Sequence, residues 1–84
     1  MIKLLKNIVN KKEIILKNNL RKYRFFANEM SQEELSSKLQ VSRQTIHSIE
    51  KSKFNPSVKL ALRIAQLFEK KVEDIFYLEE INND

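Results

Sequence analysis

A chain of 84 residues with no cysteine has room for one domain and one modest core, which leaves out a disulfide framework, a thiolate metal site and a deep active-site cleft. Sixteen basic residues against eleven acidic ones give a net charge of +5, and that balance points to an acidic partner, nucleic acid or an anionic membrane surface. The same lysine excess also serves plain solubility, so the total charge decides little.

The distribution of charge says more. Residues 1–28 carry eight basic side chains and one acid, a net of +7; residues 29–68 carry +2; residues 69–84 carry −4. One end of the chain suits phosphate and the other end repels it. No segment approaches the roughly 20 apolar residues of a bilayer-spanning helix. The first residues lack the continuous apolar run and small-residue cleavage site of a signal peptide. The expectation is a cytoplasmic protein with no membrane partner.

With no glycine and a single proline, Pro56, the composition favours helix and shows no alternating strand pattern of any length. Residues 1–16 read as a basic N-terminal extension. Leu4, Leu5, Ile8 and Val9 have helical spacing, the pattern slips across Asn10 to Glu13, and it resumes at Ile14. A short helix, a disordered arm and an extension upstream of the biological start all remain open. From Leu20 the pattern sharpens: Leu20, Tyr23, Arg24 and Ala27 fall on one face of a first helix, which ends at Asn28 and Glu29. Ser31-Gln-Glu-Glu34 has the form of a capping box opening a second helix that carries Leu35 and Leu39.

Gln40-Val41-Ser42 breaks the chain, and Ser42 caps a third helix, Arg43 to Lys51, with Ile46 and Ile49 directed inward. At 100° per residue, Gln44 and Lys51 then point outward, with His47 and Ser48 on the flanks and Arg43 at the N-terminal tip. After Asn55-Pro56-Ser57, a fourth helix is apolar at almost every position from Val58 to Phe68, which predicts the buried centre of the domain. Val72 to Tyr77 predicts a short fifth helix with Ile75 and Phe76 facing the core. Residues 79–84 read as a frayed acidic tail.

Two short helices joined by a three- to four-residue break, the second with a polar outer face, make a helix-turn-helix. The stretches Asn28-Glu-Met-Ser-Gln-Glu-Glu-Leu35, Val41-Ser-Arg-Gln-Thr-Ile46, Ile49-Glu-Lys51 and Lys53-Phe-Asn-Pro-Ser57 resemble the Cro/C1-type helix-turn-helix regulators, above all their small stand-alone members. The resemblance covers about Leu16 to Glu80. It implies an all-α, five-helix lambda-repressor-like DNA-binding domain over residues 17–78. It implies a transcriptional regulator, a repressor by preference, that binds double-stranded DNA as a homodimer. Residue by residue it assigns Ser42, Arg43, Gln44 and Ser48, with His47 adjacent, to base reading. It assigns Gln32, Thr45, Lys51 and Lys53 to the DNA backbone, and Arg24 and Glu50 to an ion pair tying the first helix to the third. Gln40, Ser52 and the Glu69-Lys70-Lys71 stretch stand where the family usually has glycine, a departure expected to cost stability and to leave the fold intact.

Plainer readings stand beside these. Taken alone, Arg43 and Gln44 are a solvated helix face; after a capped break and inside the matched motif, the functional reading wins. His47 is the sole histidine, so a metal site lacks a second imidazole. Glu33 and Glu34 serve the helix dipole and not a catalytic pair. Tyr23, Phe54, Phe68 and Phe76 read as core or interface. Of Phe25 and Phe26, one is expected in the core and the other over the fifth helix. The lysines and arginines from Lys11 to Lys22 read equally as a phosphate-binding arm and as solvated charge. No nucleophile–base pair, metal set or phosphate loop is present, so no enzyme, cofactor or small-molecule substrate is expected. The alternative is a protein-interaction module on the same fold, such as an antitoxin-like partner-binding protein, with residues 1–18 or 79–84 as its contact. A membrane-surface role for residues 1–18 is weaker, because their periodicity is broken.

Overall fold

The computed structural model describes residues 12–82. In chain order it contains β1 (Lys12–Asn18), α1 (Leu20–Phe26), α2 (Gln32–Leu39), α3 (Arg43–Glu50), α4 (Val58–Leu67), α5 (Val72–Ile75) and β2 (Phe76–Asn82). The open readings of residues 1–11 lie outside the described residues.

Five helices are present, but the all-α expectation is corrected by a two-stranded antiparallel sheet of β1 and β2. Its register runs from Lys12 opposite Asn82 to Asn18 opposite Phe76. The fifth helix stops at Ile75, two residues short of the expected Tyr77, and most of the supposed frayed tail is strand. Local periodicity cannot show such pairing, because each strand's partner lies at the other end of the chain. An isolated two-stranded ribbon is marginal in water, and this one is fastened at one end. Phe76 is buried, and the Asn19 N–H bonds the Ile75 carbonyl at 2.8 Å.

The helix starts follow the capping residues. The Ser31 hydroxyl accepts from the Glu34 N–H at 3.0 Å, and the Glu34 carboxylate accepts from the Ser31 N–H at 3.3 Å. Ser42 accepts from the Thr45 N–H at 3.0 Å and Ser57 from the Leu60 N–H at 3.1 Å. The helix ends share a second device. Gln40, Ser52 and Glu69 all have φ between 55° and 60°. The next residue's N–H then closes onto a carbonyl five positions back, Val41 to Ser36, Lys53 to Ser48 and Lys70 to Ala65, at 2.9–3.0 Å. Those bonds satisfy carbonyls that the helix leaves without partners.

The core gathers Leu20, Leu35, Leu39, Ile46, Ile49, Ile64, Ala65, Ile75 and Phe76. Two expectations about it are revised. Neither Phe25 nor Phe26 enters it; both are exposed. With Leu20, Tyr23, Arg24 and Ala27 setting the inward side of α1, Phe25 falls nearly opposite and Phe26 to the flank. Also, α4 is buried on one side only. Ile64 and Ala65 are enclosed, while Val58 is 77% and Leu62 55% exposed.

Candidate nucleic-acid interface

The outer face of α3 is built by what its inner face must bury. Ile46 and Ile49 are essentially inaccessible to solvent, and that fixes the helix rotation so that Arg43, Gln44, His47 and Lys51 are exposed. The helix end is pinned as well: the Asn18 side-chain amide donates to the Ile49 carbonyl at 2.8 Å. The Asn18 side-chain Oδ1 in turn accepts from the N–H of Leu20, the first residue of α1, at 3.1 Å. This asparagine links the ribbon, α1 and α3. Its role was not visible in the sequence, where it sat at the blurred edge of the extension.

Behind the outer face lies a charged network. Arg24 Nε and Nη2 donate to Glu50 Oε2 and Oε1 at 2.6 and 3.0 Å, so the ion pair expected between the first and third helices is present and bidentate. Arg24 Nη1 also donates to the Met30 carbonyl at 2.7 Å. Gln32 Nε2 donates to Glu50 Oε1 at 3.0 Å. Gln32 therefore sits at the start of α2 as expected, with its amide anchored on a carboxylate.

Two hollows show which residues come together. One of about 430 Å³ is lined by Arg21, Gln32, Arg43, His47, Lys51 and the Arg24–Glu50 pair. The other, about 380 Å³, is lined by Arg43, Gln44 and His47. Glu50 being matched by Arg24, the first hollow presents the net positive charge of Arg21, Arg43 and Lys51, a fit for a phosphate-bearing surface. Arg21 was grouped with the basic run of the extension; its i, i+3 spacing from Arg24 is the signal that puts it on this face.

The hydroxyl residues are partly engaged. Ser42 Oγ lies 2.8 Å from Thr45 Oγ1 while capping α3. Gln44 Nε2 donates to Ser48 Oγ at 3.3 Å, along the helix surface. Lys53 is exposed in the turn after α3 and lines neither hollow. Among the described residues, no group of three or more His, Cys, Asp and Glu side chains is placed to hold a metal ion, and no helix is long and apolar enough to cross a membrane.

Residues 20–75 match the model of a family described as helix-turn-helix. An uncharacterized HTH-type transcriptional regulator of Methanocaldococcus jannaschii is 54% identical over 65 residues, which cover 77% of this chain and 97% of that protein. A protein of the same description from Archaeoglobus fulgidus is 45% identical over 65 residues, covering 77% and 90%. The HTH-type transcriptional regulator YgzD of Bacillus subtilis is 50% identical over 52 residues, covering 62% and 79%.

Proposed function

The chain belongs to the helix-turn-helix family of small, Cro/C1-type DNA-binding transcriptional regulators, and from that premise we propose that it acts in the cytoplasm as a repressor, by occupancy of a specific site. In this reading α3 enters the major groove. Arg43 and Gln44 read base edges, guanine and adenine being the partners their geometry favours, with Ser42, His47 and Ser48 in support. Gln32, Thr45, Lys51 and Lys53, joined by Arg21, meet the sugar-phosphate backbone and set the register. Two copies bind together, each presenting one α3 to successive turns of the duplex, about 34 Å apart.

The observation that carries the reading is the shared hollow. Arg43 lines both the base-side hollow with Gln44 and His47 and the basic hollow with Arg21, Gln32 and Lys51. A side chain at the tip of a polar helix, beside a ledge of positive charge, fits a surface that docks on phosphate and reads beyond it. The capping hydroxyl of Ser42 keeps a share in the reading only through what it can still donate or accept past Thr45.

The test is selection from random duplexes over a salt series. One enriched sequence, of inverted-repeat form, is expected. Arg43→Ala and Gln44→Ala should each relax the preference at one base pair and cost about 1–3 kcal/mol there. Lys51→Ala should weaken all sequences alike and lower the salt slope by about 1. Binding that is steeply salt-dependent and blind to sequence would overturn the proposal and favour an interaction module on the same fold.

A further inference from the structure

We propose that the hollow between α1 and the C-terminal end of α4 is a docking site for an acidic peptide segment of a partner protein. Such a segment seats an apolar side chain in the hollow and sets its carboxylates against Lys22 and Lys70. The hollow stands apart from the face proposed for DNA and does not depend on that face reading bases.

Its floor is part of the folded domain. Tyr23 of α1 and Phe68 at the end of α4 are half-buried and packed against the core. Their ring centroids lie 6.1 Å apart, with the planes tilted by 39°. Ala27, Phe26 and the two lysines complete the lining of a hollow of about 390 Å³. Phe26 is 67% exposed and its neighbour Phe25 61%, and their rings meet edge to face at 6.1 Å. Two exposed phenylalanines beside an aromatic floor are apolar surface that folding has left wet, and such patches mark contact surfaces. Aromatic side chains around a pocket are also where protein contacts concentrate their binding energy.

The charges select the occupant. The lining holds two lysines and no acid. Lys22 Nζ stands 5.9 Å from the Phe26 ring centroid, so a cation is held beside the apolar wall. The backbone of Lys70 is fixed by its N–H, which bonds the Ala65 carbonyl at 2.9 Å. A carboxylate that arrives next to an apolar side chain meets both kinds of surface at once.

Other occupants fit less well. A second copy docking by the same patch sets lysine against lysine with no acid to match them. Duplex DNA brings phosphate but no apolar side chain for the phenylalanines, and its proposed face lies elsewhere. At 100° per residue, Lys22 and Phe26 project from α1 about 100–160° away from Arg21 and Arg24, and the hollow shares no lining residue with the two beside Arg43. A single strand of nucleic acid stacks its bases on open ring faces. Here neither ring pair is parallel, and Lys22 stands by the Phe26 ring. The site is therefore open to a peptide while α3 is engaged.

The experiment selects binders of the full chain from a displayed library of random short peptides. The enriched peptide is then synthesised with a fluorescein label and titrated by anisotropy at low and high salt. It should carry aspartate or glutamate on both sides of a leucine or an aromatic residue, and bind more weakly as salt screens its charges. Phe26→Ala should weaken it roughly tenfold or more, and Lys22→Glu/Lys70→Glu at least as much. A peptide with its acids changed to lysine should regain affinity for that charge-reversed variant. These three side chains are exposed, and circular dichroism checks the fold. Should the reversal unfold the chain, Lys22→Gln/Lys70→Gln is expected to give a smaller loss of the same sign, and no loss there overturns the proposal. So do a selection that enriches nothing, enriched peptides without acids, and binding indifferent to Phe26 or to the lysine pair. Displacement of the peptide by an equal concentration of oligothymidylate overturns it as well and assigns the hollow to single strands. Phe26→Ala should leave the DNA preference unchanged and Arg43→Ala the peptide affinity, so this site and base reading fail separately.

Discussion

At the scale of single residues, the candidate face is held by a largely shielded network whose members also line its basic hollow. Glu50 is 7% exposed and Arg24 14%. Glu50 accepts two bonds from Arg24 and one from Gln32. Removing one partner of such a pair leaves a shielded charge without compensation, which costs more than the pair itself contributes. Glu50→Ala should therefore lower stability by about 3 kcal/mol. A thermal melt should read this as a fall of at least 10 °C, at roughly 4–8 °C per kcal/mol for a domain of this size. A surface ion pair of ordinary worth would move the melt by only a few degrees, and that smaller result would show the network to be marginal. Asn18 is the neutral counterpart. Its amide and carbonyl close two backbone groups that helices leave open, so Asn18→Ala should cost about 1–2 kcal/mol and loosen the end of α3 as well.

At the scale of elements, the absence of glycine has a structural consequence. Gln40, Ser52 and Glu69 adopt the left-handed conformation that glycine reaches without steric cost. For a residue with a Cβ that conformation costs about 1 kcal/mol, partly offset because glycine loses more backbone entropy on folding. Gln40→Gly, Ser52→Gly and Glu69→Gly should each stabilise the domain by about 0.5–1 kcal/mol. A melt of the triple variant should rise by about 10 °C. No gain in any of the three would mean that the closures onto Ser36, Ser48 and Ala65 depend on the present side chains. The helices were legible because their signals are local: a hydroxyl at each of three starts, an apolar face of period 3.6, a proline after α3. The outer face of the candidate site was legible for the same reason, since the buried Ile46 and Ile49 dictate that Arg43 and Gln44 are exposed. Most of what escaped depends on distant partners: Asn18 needs Ile49 to have a role, and the apolar run of α4 did not reveal that one of its sides is left exposed. The exposure of Phe25 and Phe26 was already implied by the face of Leu20, Tyr23, Arg24 and Ala27.

At the scale of the whole molecule, the ribbon changes the account of the chain's two ends. The described parts of the segments read as a basic extension (1–16) and an acidic tail (79–84) belong to strands paired from Lys12 opposite Asn82 to Asn18 opposite Phe76. Closing strands drawn from the two ends of the chain costs entropy that grows only slowly with the length enclosed. The return is local: Leu16 packs against the core, worth about 1.5–3 kcal/mol if well enclosed, and Asn18 adds two bonds of about 1 kcal/mol each. The ribbon is then a brace for the C-terminal end of α3 and not an appendage. A chain beginning at Lys12 should melt at least 10 °C above one beginning at Asn19, by the same size scaling, and it should keep its base preference. If the two melt together, the strands decorate a helical domain that stands without them. If the shorter chain is less stable yet reads DNA unchanged once folded, the brace serves folding alone. Loss of both together is the outcome expected of a ribbon that holds α3 by the Ile49 carbonyl.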